Sequence, residues 1–513
     1  MRPHRTIFAM LALALASLPA LAQQQDDHPG VSLTVYSTAD PAGFEPQRYI
    51  ARQRLGQDPD YVWQVPGFGV VKEVRPITFE RGTATVSFTD VAEFIDPTTV
   101  SFVDLENPGD TTVLEQQFKF DLVSPQKLLE NYLDREITVL LGEAGEQETI
   151  TGKLLSASQE RLVLQTDRGV RIAPHDDQTQ IQLGELPGGL TTRPTLVWLV
   201  SSDRAGERPV RTTYQTAGLT WRADYNLLLG EDDEEADLSA WVTLMNLSGA
   251  SYDNARLKLI AGEVHRVEPQ RPQQMMRTRA AVMEADQAAG FEEQPFFEYH
   301  LYSLPRRTDV GQNTTQQITL FPTATDVETE KVMVYYGLPE AANWGFFPEP
   351  RTDRSFGTQS NKDVDVYIRF QNEEKNNLGR PLPRGKIRVY KQSPNGGGVE
   401  FVGEDLIDHT PKDEEILVRV GQAFDVVGER TQTDYRIDAR KHEIVETFRI
   451  ELRNHKEEPV DVLVKENLYR WVNWEIVEAS DDYKKIDART IHFPVKIPAD
   501  GEEVVTYTVR YSW

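Results

Sequence analysis

The segment LTWRADYNLLL, residues 219 to 229, alternates apolar and polar residues through aromatic and branched side chains. A period of two sends successive side chains to opposite faces, so this stretch is committed to a half-buried β-strand. It belongs to a run from Tyr214 to Val264 that reads as consecutive strands. The same alternation recurs in SLTVY, VVKEVRPITF, TATVSF, TTVSFVDL and TTVLEQQFKF between residues 31 and 121, and again from VDVYIRF to the C-terminus. Turn signals every ~8 to 12 residues point to sandwiches or barrels. The expected fold class is all-β: a multi-domain β-sandwich, immunoglobulin-like, with a small SH3-like barrel and one short helix.

Composition shifts divide the chain. Residues 23–122 are expected to form an N-terminal β domain. Ser124-Pro125 then supplies a cap and a first-turn proline for a short helix over QKLLENYL. The tight strands EITVLL, ETITGKLLSA, RLVLQT, GVRIAP and QIQLGEL place the small barrel within residues 123–190. A sandwich region follows over 191–345, interrupted at about 268–294 by a stretch rich in Gln, Ala and Met that reads as a solvated insertion. A C-terminal sandwich takes residues 346–513. There HEIVETFRIELRNHKEEPVDVLVKENLYRWVNWEIVE reads as an immunoglobulin-like hairpin turning at Asn454 to Pro459.

The first residues carry Arg2 and Arg5, an apolar run from Ile7 to Leu18, and Ala20-Leu21-Ala22 before Gln23. That order is a secretory signal peptide cut after Ala22, and the run is short of the ~20 residues that span a bilayer. The mature chain is therefore expected in the periplasm or outside the cell. Cysteine is absent, which excludes disulfides, thiolate metal sites and a cysteine nucleophile. A chain of this length can bury enough apolar surface without them. With 55 basic against 81 acidic side chains the net charge is -26, and losing Arg2 and Arg5 moves it to -28. Such a surface repels nucleic acid and anionic lipid.

The order Gly-Leu-x-Trp-x-Ala-x-Tyr, an acidic spacer, Asn-x-Ser-Gly and Ala-x-Leu-x-Leu-x-Ala-Gly is carried here by Trp221, Asp224, Tyr225, Asn246, Gly249, Ala255 and Gly262. It resembles the domain-of-unknown-function 4139 family, which includes the C-terminal part of the mucoidy-inhibitor A proteins. A second match holds Asn376, Pro381, Leu382, Pro383, Gly385 and Val389. The segment from Leu33 to Asp134 resembles the N-terminal extension many such proteins carry. The chain lacks the long coiled coil of the mucoidy inhibitors. The resemblance implies an envelope protein rich in β-sheet and carries over no catalytic residue.

Chemical motifs are few. HExxH, GxSxG, a Walker loop and a Rossmann fingerprint are missing, and the nine histidines form no local chelate. Ser124 to Lys127 fits S-x-x-K without its companion motifs, and a helix cap explains Ser124. Glu231 to Asp237, EDDEEAD, lacks the spacing of a calcium loop and reads as a hairpin tip. No cofactor is expected. The aromatic residues Trp221, Tyr225, Trp241, Trp471 and Trp474 are the candidate binding positions, with core packing as their competing role. The function that fits is a non-catalytic binding or assembly module for an envelope protein or glycan. The alternatives are an envelope hydrolase with carboxylates from separate strands and an outer-membrane barrel. The latter is suggested by the terminal alternation of Val505, Tyr507, Val509 and Tyr511.

Overall fold

The computed structural model describes residues 29–37, 39–55, 59–142, 148–185, 190–262, 264, 291–296, 299–345, 347–393 and 397–513. The expected signal peptide and most of the expected insertion lie outside the described residues. The insertion's last residues belong instead to the strand Glu292–Phe296. The chain is all-β, with five sheets and two α-helices among the described residues, Pro46–Leu55 and Pro125–Asn131. The second is the expected helix. The first was not anticipated, because PQRYIARQRL offers only the consecutive Tyr49, Ile50 and Ala51 beside its terminal leucine, with no apolar stripe at helical spacing.

An eight-stranded sheet gathers distant parts of the sequence. Its order is Glu292–Phe296, Tyr299–Ser303, Tyr252–Ala261, Gly30–Ser37, Gly67–Phe79, Gly206–Thr216 and Ile95–Asp104, with Thr308–Val310 also on Tyr252–Ala261. Gly30–Ser37 runs parallel to Tyr252–Ala261, from Ser32 opposite Arg256 to Tyr36 opposite Ile260. Strands expected in an N-terminal domain thus share one sheet with strands from beyond residue 190. This sheet packs on a three-stranded one, Gly82–Thr89, Thr195–Ser202 and Thr111–Lys119, around Trp198, Phe79, Phe88 and Phe102. It also packs on a five-stranded sheet ordered Thr314–Glu328, Glu235–Asn246, Leu219–Leu229, Gly385–Gln392 and Val399–Ile407. Leu33, Val35, Trp221, Tyr225, Leu227 and Leu259 belong to the single apolar core that joins the three. Gly218 starts Leu219–Leu229 at φ +82, and a Cβ there would lie 2.8 Å from the Leu247 carbonyl carbon. Only glycine meets both conditions cheaply.

The small barrel is not closed. Thr179–Gln182, Glu136–Leu141, Glu148–Ala157, Arg161–Thr166 and Gly169–Pro174 form an open five-stranded sheet around Ile137, Val139, Ile150, Leu154, Leu162 and Leu164. Its would-be closing strand has four residues and spends its described pairing on Glu136–Leu141.

The C-terminal region is one nine-stranded sheet folded over itself. The order is Trp474–Ala479, Gly501–Ser512, Glu443–Asn454, Glu415–Asp438, Asp363–Gln371, Glu330–Tyr336, Val460–Asn467, Thr490–Ile497 and Lys484–Lys485. The long strand Glu415–Asp438 turns the corner, pairing with Asp363–Gln371 through its first half and Glu443–Asn454 through its second. Glu443–Asn454 and Val460–Asn467 do not form the expected hairpin, because three strands separate them. Asn454 holds the Glu458 and Pro498 carbonyls and sends the chain across to the opposite layer. Phe448, Tyr507 and Phe493 then meet across the fold, with ring centroids 5.5 and 5.7 Å apart. Val505, Tyr507, Val509 and Tyr511 point into this core, so their alternation reflects an interior and not a lipid-facing row. None of the five sheets is a closed barrel.

Candidate functional site

The structure separates the five predicted aromatic residues. Trp221 and Tyr225 are buried, the indole N–H donating to the Val35 carbonyl at 3.2 Å and the phenol to the Pro383 carbonyl at 2.7 Å. Trp471 and Trp474 are half-buried at the rim of the C-terminal core. Trp474 donates to the Ala488 carbonyl and lies under the Lys485 ammonium at 4.3 Å. Trp241 alone lies half-exposed on the outer face of the five-stranded sheet.

Strand register assembles that face. Inward positions of Leu219–Leu229 and Glu235–Asn246 are apolar, so the residues alternating with them turn outward, the even-numbered ones on the first strand and the odd-numbered ones on the second. One row across the strands reads Thr319, Trp241, Asp224, Lys386, Leu406. The next reads Ser239, Asn226, Arg388, Glu404, and the third Asp237, Leu228, Tyr390, Phe401. Phe401 is 56% exposed and meets Tyr390 edge to face at 5.7 Å. The charges of the first two rows are paired on this face. Asp224 accepts from Arg222 Nε at 3.0 Å and from the Thr243 hydroxyl at 2.6 Å, and faces Arg388 at 3.5 Å. Glu404 accepts from Lys386 at 3.2 Å and lies 3.6 Å from Arg388. Beyond the third row, the EDDEEAD segment is the expected hairpin tip. Its Asp233 is buried and held by the ammonium groups of Lys331, at 2.6 Å, and Lys391. Burial alone would raise the Asp233 carboxyl, but the two lysines more than reverse that and hold it below its ordinary value.

A second polar group, missed in the sequence, fills the C-terminal core. Arg430 pairs with Glu466 at 2.9 Å and Arg470 with Glu446 at 2.7 Å, all four nearly inaccessible. Tyr507 donates to Glu466 and Gln432 to Glu446. The guanidiniums also fasten a loop: Arg470 donates to the carbonyls of Arg351, Asp353 and Phe356, and Arg430 to that of Gly357. Burial pushes the Glu446 carboxyl up against the pull of Arg470, and one of its oxygens has no protein partner. The signal for these residues was phase. Arg430 falls in step with Val426, Glu446 with Ile444 and Phe448, and Glu466 with Val462 and Val464.

Other sequence motifs are structural. Ser124 accepts from the Lys127 amide as a helix cap, and the Lys127 ammonium is taken by Asp121. Asn246 donates to the carbonyls of Ala250, Val310 and Gly311 and accepts from Ser248. Asn376 brackets Glu328 through both its amide and its carbonyl. Among the described residues no group of three or more His, Asp or Glu is placed to hold a metal ion, and no helix is long and apolar enough to cross a membrane.

No curated protein matches the chain. A family model described as domain of unknown function (DUF4139) matches residues 210–513. That span takes in all of the C-terminal sheet, every strand of the five-stranded sheet and the buried arginine network. The chain therefore belongs to the DUF4139 family.

Proposed function

We propose that the protein is exported to the cell envelope and works there as a non-catalytic binding or assembly module, holding a partner on the outer face of the five-stranded sheet. One observation carries this reading: Trp241, Tyr390, Phe401 and Leu406 stand on an outer face where Asp224, Lys386, Arg388 and Glu404 are paired with charges of the same face. Side chains fixed by mutual pairing are preorganised for recognition, which lowers the entropy lost on binding. The buried carboxylates Glu446 and Glu466 are likewise each held by a guanidinium. Export is supported by the basic start, short apolar run and Ala20-Leu21-Ala22 of the N-terminus.

The test is in-cell crosslinking of the tagged protein, with fractionation and mass spectrometry of what it captures. A reproducible envelope partner in the periplasmic fraction is the expected result. Retention of the uncut N-terminus in the cytoplasm, or no partner above background, would overturn the proposal.

A further inference from the structure

We infer that the outer face of the C-terminal sheet holds a small phosphate compound, its phosphoryl group seated over His492 between the ammonium groups of Lys465 and Lys484. The site lies on a different sheet from the partner face proposed above and stands without it. Strand register builds it. Tyr336, Lys465, His492 and Lys484 lie side by side across Glu330–Tyr336, Val460–Asn467, Thr490–Ile497 and Lys484–Lys485. Val462, Val464 and Glu466 on one strand and Ile491, Phe493 and Val495 on the next are buried, so Lys465 and His492 between them point outward. Lys484 is exposed. Like charges directly opposite one another destabilise a sheet, and the neighbouring rows do not offset them: Leu463 with Pro494 on one side and Asn467 with Thr490 on the other carry no charge. Among the described residues no ion pair or hydrogen bond occupies Lys465, His492 or Lys484, and the Lys465 ammonium rests 5.4 Å from the Tyr336 ring.

Carboxylates act on this row only weakly. Burial holds the His492 imidazole below its ordinary value, with Lys465 and Lys484 adding to the effect and Asp487 opposing it. Burial likewise lowers the Lys465 ammonium against the pull of Glu415, which stands on a strand with two others between. Asp487 already accepts from the amides of Arg489 and Thr490, and Asp481 and Asp482 line a cleft with Ile476 to Ala479 instead. Charge and size then fix the ligand. A carboxylate offsets one ammonium, whereas a phosphoryl group carries about -1.5 to -2 at neutral pH and presents three acceptor oxygens. That matches two ammoniums and an imidazole N–H. Cross-strand neighbours stand ~5 Å apart, and the flexible four-carbon stems of the lysines bring both ammoniums within reach of one group above His492. The chain as a whole has a net charge of -26. Fields between exposed charges fade over ~8 Å at physiological salt, so a small anion meets the row alone, whereas a nucleic acid or an anionic membrane also meets the acidic remainder.

Inorganic phosphate is the first probe, titrated into the full chain at constant ionic strength while the histidine ring signals are followed by NMR, with His492→Asn identifying the His492 signal. A saturable shift of that signal is expected, and its titration moves upward in phosphate, since a neighbouring anion favours the charged ring. Acetate at the same ionic strength gives no saturable shift. Lys465→Met and Lys484→Met each weaken phosphate binding about fivefold, whereas Lys119→Met, on the three-stranded sheet, leaves it unchanged. Lys484 is exposed, so its variant tests the site even if Lys465→Met does not fold. A His492 signal indifferent to phosphate, an equal response to acetate, or phosphate binding undiminished in Lys484→Met overturns the inference. Glycerol 3-phosphate is the second probe: tighter binding than phosphate assigns the site to a phosphate ester, and equal or weaker binding assigns it to the free anion.

Discussion

The two large interiors of this molecule use buried charge to different extents and to different ends. Between the eight-, three- and five-stranded sheets the core is continuous and mostly apolar, with Trp198, Trp221, Tyr225 and Leu227 within it; its Arg208–Asp104 pair, 3.1 Å apart, is buried beside Phe79, and the Arg222, Asp224 and Arg388 charges lie on the outer face of the five-stranded sheet. Inside the folded nine-stranded sheet, two arginine–glutamate pairs sit among Phe448, Tyr507 and Tyr511. Apolar burial stabilises without directing, since it scales with area. The guanidiniums instead give direction: their remaining N–H groups reach the carbonyls of Arg351, Asp353, Phe356 and Gly357 and fix one path for a loop without strand partners. The first core fixes how sheets stack. The second also fixes where a loop runs.

The largest expected effect breaks the second interior. Glu446→Ala leaves the Arg470 guanidinium buried without its carboxylate, at a cost of about 3–5 kcal/mol. Replacing both partners, Glu446→Leu with Arg470→Met, recovers most of that loss, because a well-packed apolar pair is often as stable as a buried ion pair. Urea denaturation followed through Trp471 and Trp474 measures both. Hydrogen exchange across residues 351–361 sharpens the contrast, since the double variant is expected to stay folded while those amides lose protection. Unchanged protection would mean that the arginines do not direct the loop.

In the first interior Leu227→Ala is expected to cost about 2–5 kcal/mol, from lost transfer energy and the cavity left behind. Neutralising a charge on the outer face nearby has no comparable cost. Arg388 is partly exposed, and Arg388→Gln is expected to cost no more than about 1 kcal/mol, as at other partly solvated pairs. A loss for Arg388→Gln as large as that for Leu227→Ala would show that the outer ladder, and not the apolar core, fixes this sheet.

pH separates the two regions by sign. Burial raises the Glu446 carboxyl above its ordinary 4.5, so between 4.5 and its folded value the native state holds more protons than the unfolded chain. This contribution is full below 4.5 and is lost as pH rises through the folded value. Asp233, lowered below 3.8 by Lys331 and Lys391, works the other way: its contribution is present above 3.8 and is lost as pH falls through the folded value. Urea midpoints recorded from pH 3 to 7 test both. Glu446→Gln is expected to flatten the profile above 4.5 and Asp233→Asn the profile below 3.8. An unchanged profile in either variant removes that residue from the account.

Strand identity was legible because alternation is local. Leu219–Leu229 and Gly501–Ser512 declare their buried faces residue by residue. Pairing was not legible where it joins distant segments. Nothing near Gly30–Ser37 marks its parallel partner at Tyr252–Ala261, and nothing in the Asn454 to Pro459 connection distinguishes a hairpin from a crossing between layers. The candidate face was legible in part. Trp241 is out of phase with Ala240 and Val242, which marks it as outward, whereas Trp221 and Tyr225 are in phase with Ala223 and Leu227 and belong inside. Phe401 carried no such mark, because Val399–Ile407 is an edge strand with most positions exposed on both faces.

That difference in phase gives the smallest expected effect on stability. Phe401→Ser removes a ring 56% exposed at a sheet edge, and substitutions at such positions usually change stability by no more than about 0.5 kcal/mol. Trp221→Ala removes a ring buried between two sheets, with its N–H on Val35, and is expected to cost about 3–5 kcal/mol. The two aromatic residues lie in the same five-stranded sheet, so one denaturation experiment compares them directly. A near-neutral Phe401→Ser beside a destabilising Trp221→Ala means that Phe401 is dispensable for folding and free to serve a partner. Comparable losses would mean that Phe401 holds the edge strand in place, and its exposure would then need no partner to account for it.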